Sequence, residues 1–354
     1  MCIRDRITTV IGSFPKPSYL QVPDWFNAEG GTDTANPTAD YLDAISKMGD
    51  EKETIFLKAT KEVIQDQVEC GIDIVTDGEV RRENYIHYHC RHLAGIDFNQ
   101  LTKKVARTGN YECYLPTIIN KVEAKDSFLV NEWLTAQKIS SKPVKVTLPG
   151  PMTITDTVAN DYYTSDNQLG NDLAIAINVE IKRLVEAGCK YIQVDEPLFA
   201  RKPQEAIDYG ISNLEKCFNG IEDGDAEKIA HICCGYPDKL DAVDYPKAPL
   251  SSYEQIAKLL DDSIVDTISI EDAHRYNDLS LLESYKKTKI ILRLIKIASS
   301  VEETIDEIRI RIEKALNHID VNRLIAAPDC GLGHLPRWLA IKKLKTLVEA
   351  VKDI

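Results

Sequence analysis

Short runs of β-branched and apolar residues recur along this chain, and most are followed by a turn and a stretch of helical periodicity. Such alternation is typical of a parallel sheet covered by helices, which bury its apolar faces. Eight runs occur, at residues 7–14, 72–79, 143–151, 191–197, 228–234, 267–273, 289–295 and 324–331. Eight strand-and-helix units predict an α/β fold of the single (β/α)8 TIM-barrel type.

Two segments interrupt the alternation. Residues 15–40 are rich in Pro, Gly, Asp and Thr and predict a long loop, whereas residues 107–122 predict a hairpin inserted before the third strand. No repeat or linker is found, so we expect one catalytic domain over residues 7–354. Met1–Arg6 do not resemble the start of a packed element, and we expect them to be disordered.

Composition restricts the partners of the protein. The chain is 44% hydrophobic and 28% charged, which is typical of a globular protein with a full core. Its formal net charge of −13 repels nucleic acid and anionic lipid. The N-terminal residues lack the apolar stretch of a signal peptide, and no apolar run approaches a membrane span. We therefore predict a cytoplasmic protein with no nucleic-acid or membrane partner.

Polar and reactive residues cluster where the predicted strands end. In barrels of this type the active site lies at the C-terminal ends of the strands. The residues at those ends are Gly12 and Ser13, Asp77–Glu79, Gly150, Asp195 and Glu196, His231 and Cys233, Glu271 and Asp272, and Asp329 and Cys330.

The stretch "HICC" offers metal ligands at one of these ends. Residues i and i+2 of a strand point to the same side, so His231 and Cys233 converge while Cys234 faces away. Zinc accepts imidazole, thiolate and carboxylate ligands, and Glu271 and Cys330 lie at two further strand ends. The alternative is a buried strand that carries soft side chains. Ligand types at three strand ends favour the zinc site.

Seven ordered motifs resemble one known family. They are "TTVIGSFPKP", "TDGEVRREN", "PVKVTLPGPMTI", "IQVDEPLFAR", "HICC", "ISIEDAHR" and "APDCGLG". In order and approximate spacing they resemble the catalytic barrel of cobalamin-independent methionine synthase and its shorter single-barrel relatives. The resemblance extends from about residue 7 to the C-terminus, and it implies four zinc ligands: His231, Cys233, Glu271 and Cys330.

The resemblance also implies an activity, the transfer of a methyl group to homocysteine to give methionine. In the family, zinc holds the homocysteine thiol as a thiolate, which attacks an activated methyl group. Glu79 and Asp195 match the acids that bind the substrate ammonium, and the Ile11-Gly12-Ser13 segment matches the loop that binds its carboxylate. The alternative for the two acids is that they form structural ion pairs with Arg82 or Arg201.

Three departures from the family concern the methyl donor. The chain has room for only one of the two barrels of the full-length enzymes. Where the family has a tryptophan that stacks on the pterin, the sequence reads "TDTVAND", and an assisting Asp and His are replaced at Lys296 and Ala298. The donor, a folate or a corrinoid, therefore stays open. Two other functions stay open as well: a zinc transferase that adds a thiol such as coenzyme M to an epoxide, and a non-catalytic zinc protein.

Overall fold

The structure is a computed structural model that describes residues 7–24, 26, 37–106, 111–237, 239–242, 245–352 and 354. The disorder expected for Met1–Arg6 and part of the loop expected at 15–40 lie outside these residues. The C-terminal end of that predicted loop is helical instead, because helix α1 begins at Pro37. Proline is well suited to the first turn of a helix, where its missing N–H has no partner to lose.

A parallel sheet of six strands organises the fold. Its strands are β3 Val146–Pro149, β5 Tyr191–Asp195, β6 Glu227–Ile232, β7 Thr267–Glu271, β8 Lys289–Ile295 and β9 Leu324–Pro328. They pair in the order β3-β5-β6-β7-β8-β9, and nearly all their residues are buried, as expected for a parallel sheet between two layers. Six of the eight predicted runs are therefore strands of one sheet.

The other two predicted runs, 7–14 and 72–79, contribute isolated parallel bridges rather than full strands. The bridged pairs are Thr8 with Ala326, Thr9 with Ile74, and Val75 with Val144. Backbone hydrogen bonds accompany them, including Thr9 N to Ala326 O at 3.0 Å and Lys145 N to Val75 O at 2.8 Å. The first segment thus pairs with β9 and with the second segment, and the second segment pairs with the residues before β3, so the two segments lie between the two edge strands of the sheet.

A separate sheet precedes β3. Strands β1 (Leu93–Ala106) and β2 (Tyr111–Ala124) are antiparallel, and β4 (Ala159–Asn160) pairs with β2 in parallel. The sequence prediction placed the hairpin at 107–122, whereas β1 lies entirely before that segment. The pairing register shifts between Ala94 and Ile96, around Gly95 with its positive φ, and again between Asp97 and Thr102, so alternation is weak in this part of the sequence.

Helices cover the sheets. Helix α6 shows the expected pattern, because Leu169, Leu173, Ile177 and Ile181 form one buried face, and Gly188 follows its end with φ of 102°. Among the described residues, no helix combines the length and apolarity needed to span a membrane. The helices are α1 Pro37–Met48, α2 Lys52–Glu69, α3 Tyr85–Cys90, α4 Leu129–Ile139, α5 Pro151–Asp156, α6 Asp166–Glu186, α7 Leu198–Arg201, α8 Pro203–Glu205, α9 Ile211–Cys217, α10 Ser252–Asp262, α11 Ile305–Ala315 and α12 Arg337–Val351, with short 3-10 or π turns at Gly49–Glu51, Ala206–Gly210, Leu279–Ser284 and Val321–Arg323.

One face of the sheet, the face that carries a small second core cluster, changes from apolar to polar along the strands. A small core cluster contains Ile229 of β6 and Ile291 of β8. Because side chains repeat with period two along a strand, the residues two positions further on, His231 and Arg293, face the same side. The interior is therefore apolar toward the N-terminal ends of these strands and reactive toward their C-terminal ends.

Candidate active site

Three of the predicted metal ligands lie together. The ligand atoms of His231, Cys233 and Cys330 are all within 4.8 Å of one another, at the ends of β6 and β9. The distance from Cys330 Sγ to His231 Nε2 is 3.6 Å. A sulfur and a nitrogen bound to one tetrahedral zinc ion at about 2.0 to 2.3 Å are separated by about 3.5 Å. The three side chains therefore fit a zinc ion.

Neighbouring strands orient the imidazole of His231. Its Nδ1 is 3.1 Å from Ser269 Oγ on β7, which leaves Nε2 toward Cys330. The buried Arg293 guanidinium lies 3.3 and 3.4 Å from the two ring nitrogens. Burial, and then the charge of Arg293, hold the pKa of His231 well below its usual value. The ring is therefore neutral, which is the form that binds metals.

The two cysteines of the cluster interact through a hydrogen bond. A hydrogen bond from the thiol of Cys330 lowers the pKa of Cys233, and the same contact raises the pKa of Cys330 well above its ordinary value. Arg293 also favours the thiolate of Cys233. The contact with Cys330 therefore favours the thiolate of Cys233, and thiolate is the form of cysteine that binds metals.

The fourth predicted ligand, Glu271, lies at the end of β7 but is held by other groups. Its Oε2 accepts a hydrogen bond from Cys234 N at 2.9 Å, and its Oε1 is 2.8 Å from Lys247 Nζ. Over the described ranges, the group of side chains with ligand atoms within 4.8 Å contains only the histidine and two cysteines. The carboxylate must turn away from Lys247 to join them.

Glu79 is buried and contacts the cation that the sequence offered as an alternative partner. Its Oε1 accepts hydrogen bonds from Arg82 Nη1 at 3.1 Å and Thr147 Oγ1 at 2.7 Å. Burial raises the pKa of Glu79, whereas the charge of Arg82 opposes this effect. The backbone φ of Glu79 is 55°, an uncommon value for a residue with a side chain.

Asp195, at the end of β5, lies close enough to Glu79 for their charges to interact. Its Oδ1 accepts a hydrogen bond from Gln193 Nε2 at 2.7 Å, and no ion pair joins it to Arg201 in the described structure. Burial, and then the charge of Glu79, raise the pKa of Asp195 well above its usual range. Two buried carboxylates that repel each other form a favourable site for a cation.

The Ile11-Gly12-Ser13 segment lies against the first of these acids. A side-chain carbon at Gly12 would lie 2.6 Å from Glu79 Oε1, so only glycine permits this approach. The hydroxyl of Ser13 is buried and has no hydrogen-bond partner among the residues that the structure describes. An unpaired buried hydroxyl is costly, and a ligand oxygen at this position would satisfy it.

Three site residues were missed by the sequence analysis: Lys145, Gln193 and Arg293. Gln193 and Arg293 lie inside apolar strands, Lys145 lies directly before β3, and each is at most 1% exposed. A polar or charged side chain in an otherwise apolar run was the available signal, since such a residue is rarely buried without specific partners.

The fold and this group of side chains define an α/β enzyme with a candidate metal centre at the C-terminal edge of its parallel sheet. The family model described as "Cobalamin-independent synthase, Catalytic domain" matches residues 6–353. The chain belongs to this family, and it is a methyltransferase. The alternative of a non-catalytic zinc protein is therefore wrong.

Relatives and solved structures agree with this family. A methionine synthase of Saccharolobus solfataricus is 32% identical, with 98% of this chain and 94% of the relative aligned. A methionine synthase of Sulfurisphaera tokodaii is 31% identical, with 98% and 92% aligned. The structure of a B12-independent methionine synthase from Shewanella sp. W3-18-1 in complex with selenomethionine matches with a TM-score of 0.83 at 30% identity, covering 98% of this chain and 96% of that one.

Proposed function

We propose that the protein transfers a methyl group to homocysteine, giving methionine, with zinc bound by His231, Cys233, Cys330 and Glu271. The observation that carries this proposal is the group of one imidazole and two cysteines within 4.8 Å, beside buried acids. When bound, zinc supplies a Lewis acid that keeps a coordinated thiol deprotonated at neutral pH. Glu271 is the proposed fourth and catalytic ligand, since it can exchange between Lys247 and the metal.

The proposed orientation of homocysteine follows from charge. Its ammonium lies between Glu79 and Asp195, which otherwise repel each other. Its carboxylate lies at the Ile11-Gly12-Ser13 segment, where the buried Ser13 hydroxyl lacks a partner among the described residues. A sulfonate thiol such as coenzyme M has no ammonium for the two acids, so the buried charges favour the amino-acid thiol.

We also propose that residues 7–354 form one catalytic domain, a (β/α)8 barrel with an antiparallel insertion before β3. The support comes from the three parallel bridges that connect β9, the segments at Thr8–Thr9 and Ile74–Val75, and β3. A barrel of this kind places the proposed ligands at the ends of its strands.

The proposed methyl donor is a corrinoid rather than methyltetrahydrofolate. A folate leaves as an amine, which requires a proton, and the family's assisting Asp and His are absent at Lys296 and Ala298. The segment after α5 also lacks the family's pterin-stacking tryptophan. A corrinoid carries its methyl group in a more labile form and does not require that acid.

Methionine formation by zinc-loaded, reduced protein tests these proposals. Homocysteine is combined in turn with methylcobalamin, free or on a corrinoid protein, and with methyltetrahydrofolate carrying a polyglutamate tail, with Cys330→Ser as the inactive control. We expect turnover with methylcobalamin and little with the folate. The donor proposal would be refuted if the folate supports turnover of about 1 s⁻¹ or more, the ordinary enzyme range, and methylcobalamin supports none. No methionine with either donor would refute the proposed function.

A further inference from the structure

Two buried polar side chains beneath the proposed amino-acid site have no role in the scheme above. Lys145 precedes β3 and is 1% exposed, and Gln193 lies in β5 and is 0% exposed. A cation and an amide in the interior of a parallel sheet are costly unless their hydrogen bonds are satisfied. Their contacts therefore indicate what these residues do.

The contacts form a continuous chain from Lys145 to both halves of the site. Lys145 Nζ donates hydrogen bonds to Val10 O and to Gln193 Oε1, each at 2.6 Å. Gln193 Nε2 then donates to Ile11 O at 3.1 Å and to Asp195 Oδ1 at 2.7 Å. Asp195 is the proposed ammonium ligand, and Ile11 begins the proposed carboxylate-binding segment.

Lys145 determines which way the amide of Gln193 faces. The amino group of Lys145 donates to Val10 O and to Gln193 Oε1, so the amide oxygen faces Lys145. The amide nitrogen consequently faces Asp195 Oδ1 and the carbonyl of Ile11, both of which accept a hydrogen bond from it. If the amide were reversed, its oxygen would face two acceptors and its nitrogen would face the lysine.

We propose that Lys145 and Gln193 act as positioning residues that fix Asp195 and the Ile11-Gly12-Ser13 segment in the geometry that binds the amino-acid end of the substrate. This inference rests on the proposed function. Burial lowers the pKa of Lys145 to about 7, and the charges of Asp195 and Glu79 oppose this effect, so the protonated lysine offsets the repulsion between the two acids while the site is empty. Neither residue needs to touch the substrate.

A positioning role of this kind predicts non-additive effects. Lys145→Met removes the group that orients the amide, and Gln193→Leu removes the amide itself, so each breaks the same chain. The double variant should then be little worse than either single variant, because residues of one hydrogen-bond network do not contribute independently. Two residues that merely stabilise the fold separately would give additive losses.

Equilibrium binding of L-methionine to the zinc-loaded protein, measured by calorimetry, tests the inference. Methionine has both charged groups but no free thiol, and 4-(methylthio)butanoate is the matched ligand without the ammonium. We expect the Kd for methionine to rise roughly tenfold or more in each single variant and by a similar factor in the double variant. Zinc content should not change, and the butanoate should distinguish parent from variants far less.

Lys228→Met is the control, because Lys228 is a buried lysine at the opposite end of β6 that pairs with Asp223 at 2.9 Å. Its Kd for methionine should equal that of the parent. Folded Lys145 and Gln193 variants with parental Kd values, or with additive losses, would overturn the inference.

If Lys145→Met does not fold, Gln193→Glu decides, because its carboxylate still accepts from Lys145 but cannot donate to Asp195. Parental binding by Gln193→Glu overturns the inference, whereas a parent that binds no methionine refutes the proposed function itself.

Discussion

Asp195→Asn removes one negative charge from the proposed ammonium site with little change of shape. The asparagine oxygen can still accept the hydrogen bond that Asp195 takes from Gln193 Nε2 at 2.7 Å. The local fold should therefore survive. Glu79→Gln is a less specific perturbation, because Glu79 Oε1 is bound by the buried Arg82, and an unpaired buried charge costs about 3 to 5 kcal/mol.

The expected loss of affinity follows from the kind of bond removed. A hydrogen bond to a charged group contributes about 1.5 to 3 kcal/mol. At about 1.4 kcal/mol per factor of ten, the Kd for methionine should rise about 10- to 150-fold. The second acid, Glu79, remains and keeps part of the attraction for the ammonium, so binding should weaken without disappearing.

Calorimetric titration of the zinc-loaded protein measures this effect. Methionine is compared with 4-(methylthio)butanoate, which has no ammonium and should bind parent and Asn variant alike. Asp320→Asn is the control variant, because Asp320 is exposed and lies just before the N-terminal end of β9. A methionine Kd for Asp195→Asn within about twofold of the parental value would show that Asp195 does not bind the ammonium.

Three further predictions concern the metal and pH. Cys233→Ser and Cys330→Ser should each reduce bound zinc well below one ion per chain by elemental analysis, whereas full zinc content in both would refute the ligand assignment. Lys247→Met should tighten zinc binding roughly tenfold in a chelator competition, because it removes the ammonium that holds Glu271 at 2.8 Å; equal or weaker binding would contradict the proposed exchange. Burial lowers the pKa of His87 to about 4, so its contribution to the unfolding free energy is complete above its ordinary pKa of about 6.5 and is lost as pH falls toward 4. Denaturant unfolding between pH 7 and 4 should show a smaller loss of stability in His87→Gln, and identical pH profiles would refute this assignment.

The clustering of His231, Cys233 and Cys330 could be predicted because their position depends on local geometry. Strand periodicity places His231 and Cys233 on one side, and Cys330 follows another strand at the same edge of the sheet. Glu271 also lies at that edge, but the direction of its carboxylate depends on Lys247, which lies in a loop. Strand periodicity carries no information about a loop contact of this kind.

The fold was predictable where strands are continuous and less so where pairing is short. Runs at β3 and β5–β9 were recognisable because buried parallel strands are apolar on both faces. The segments at 7–14 and 72–79 have similar composition, yet only single bridges join them to their neighbours. Backbone pairing at such positions depends on the neighbouring strands, which composition does not reveal.

The positions that the sequence analysis missed share one physical property. Lys145, Gln193 and Arg293 lie in predicted strand runs that are otherwise apolar, and their side chains complete hydrogen bonds of the candidate site. The charge of Arg293 beside His231 disfavours protonation of the imidazole, and a protonated Lys145 beneath Asp195 and Glu79 offsets their repulsion. The position of such a residue is therefore informative. Gln193 lies two residues before Asp195 in β5, and Arg293 of β8 lies beside His231 of β6, so each acts on a neighbouring reactive side chain through a hydrogen bond or a charge.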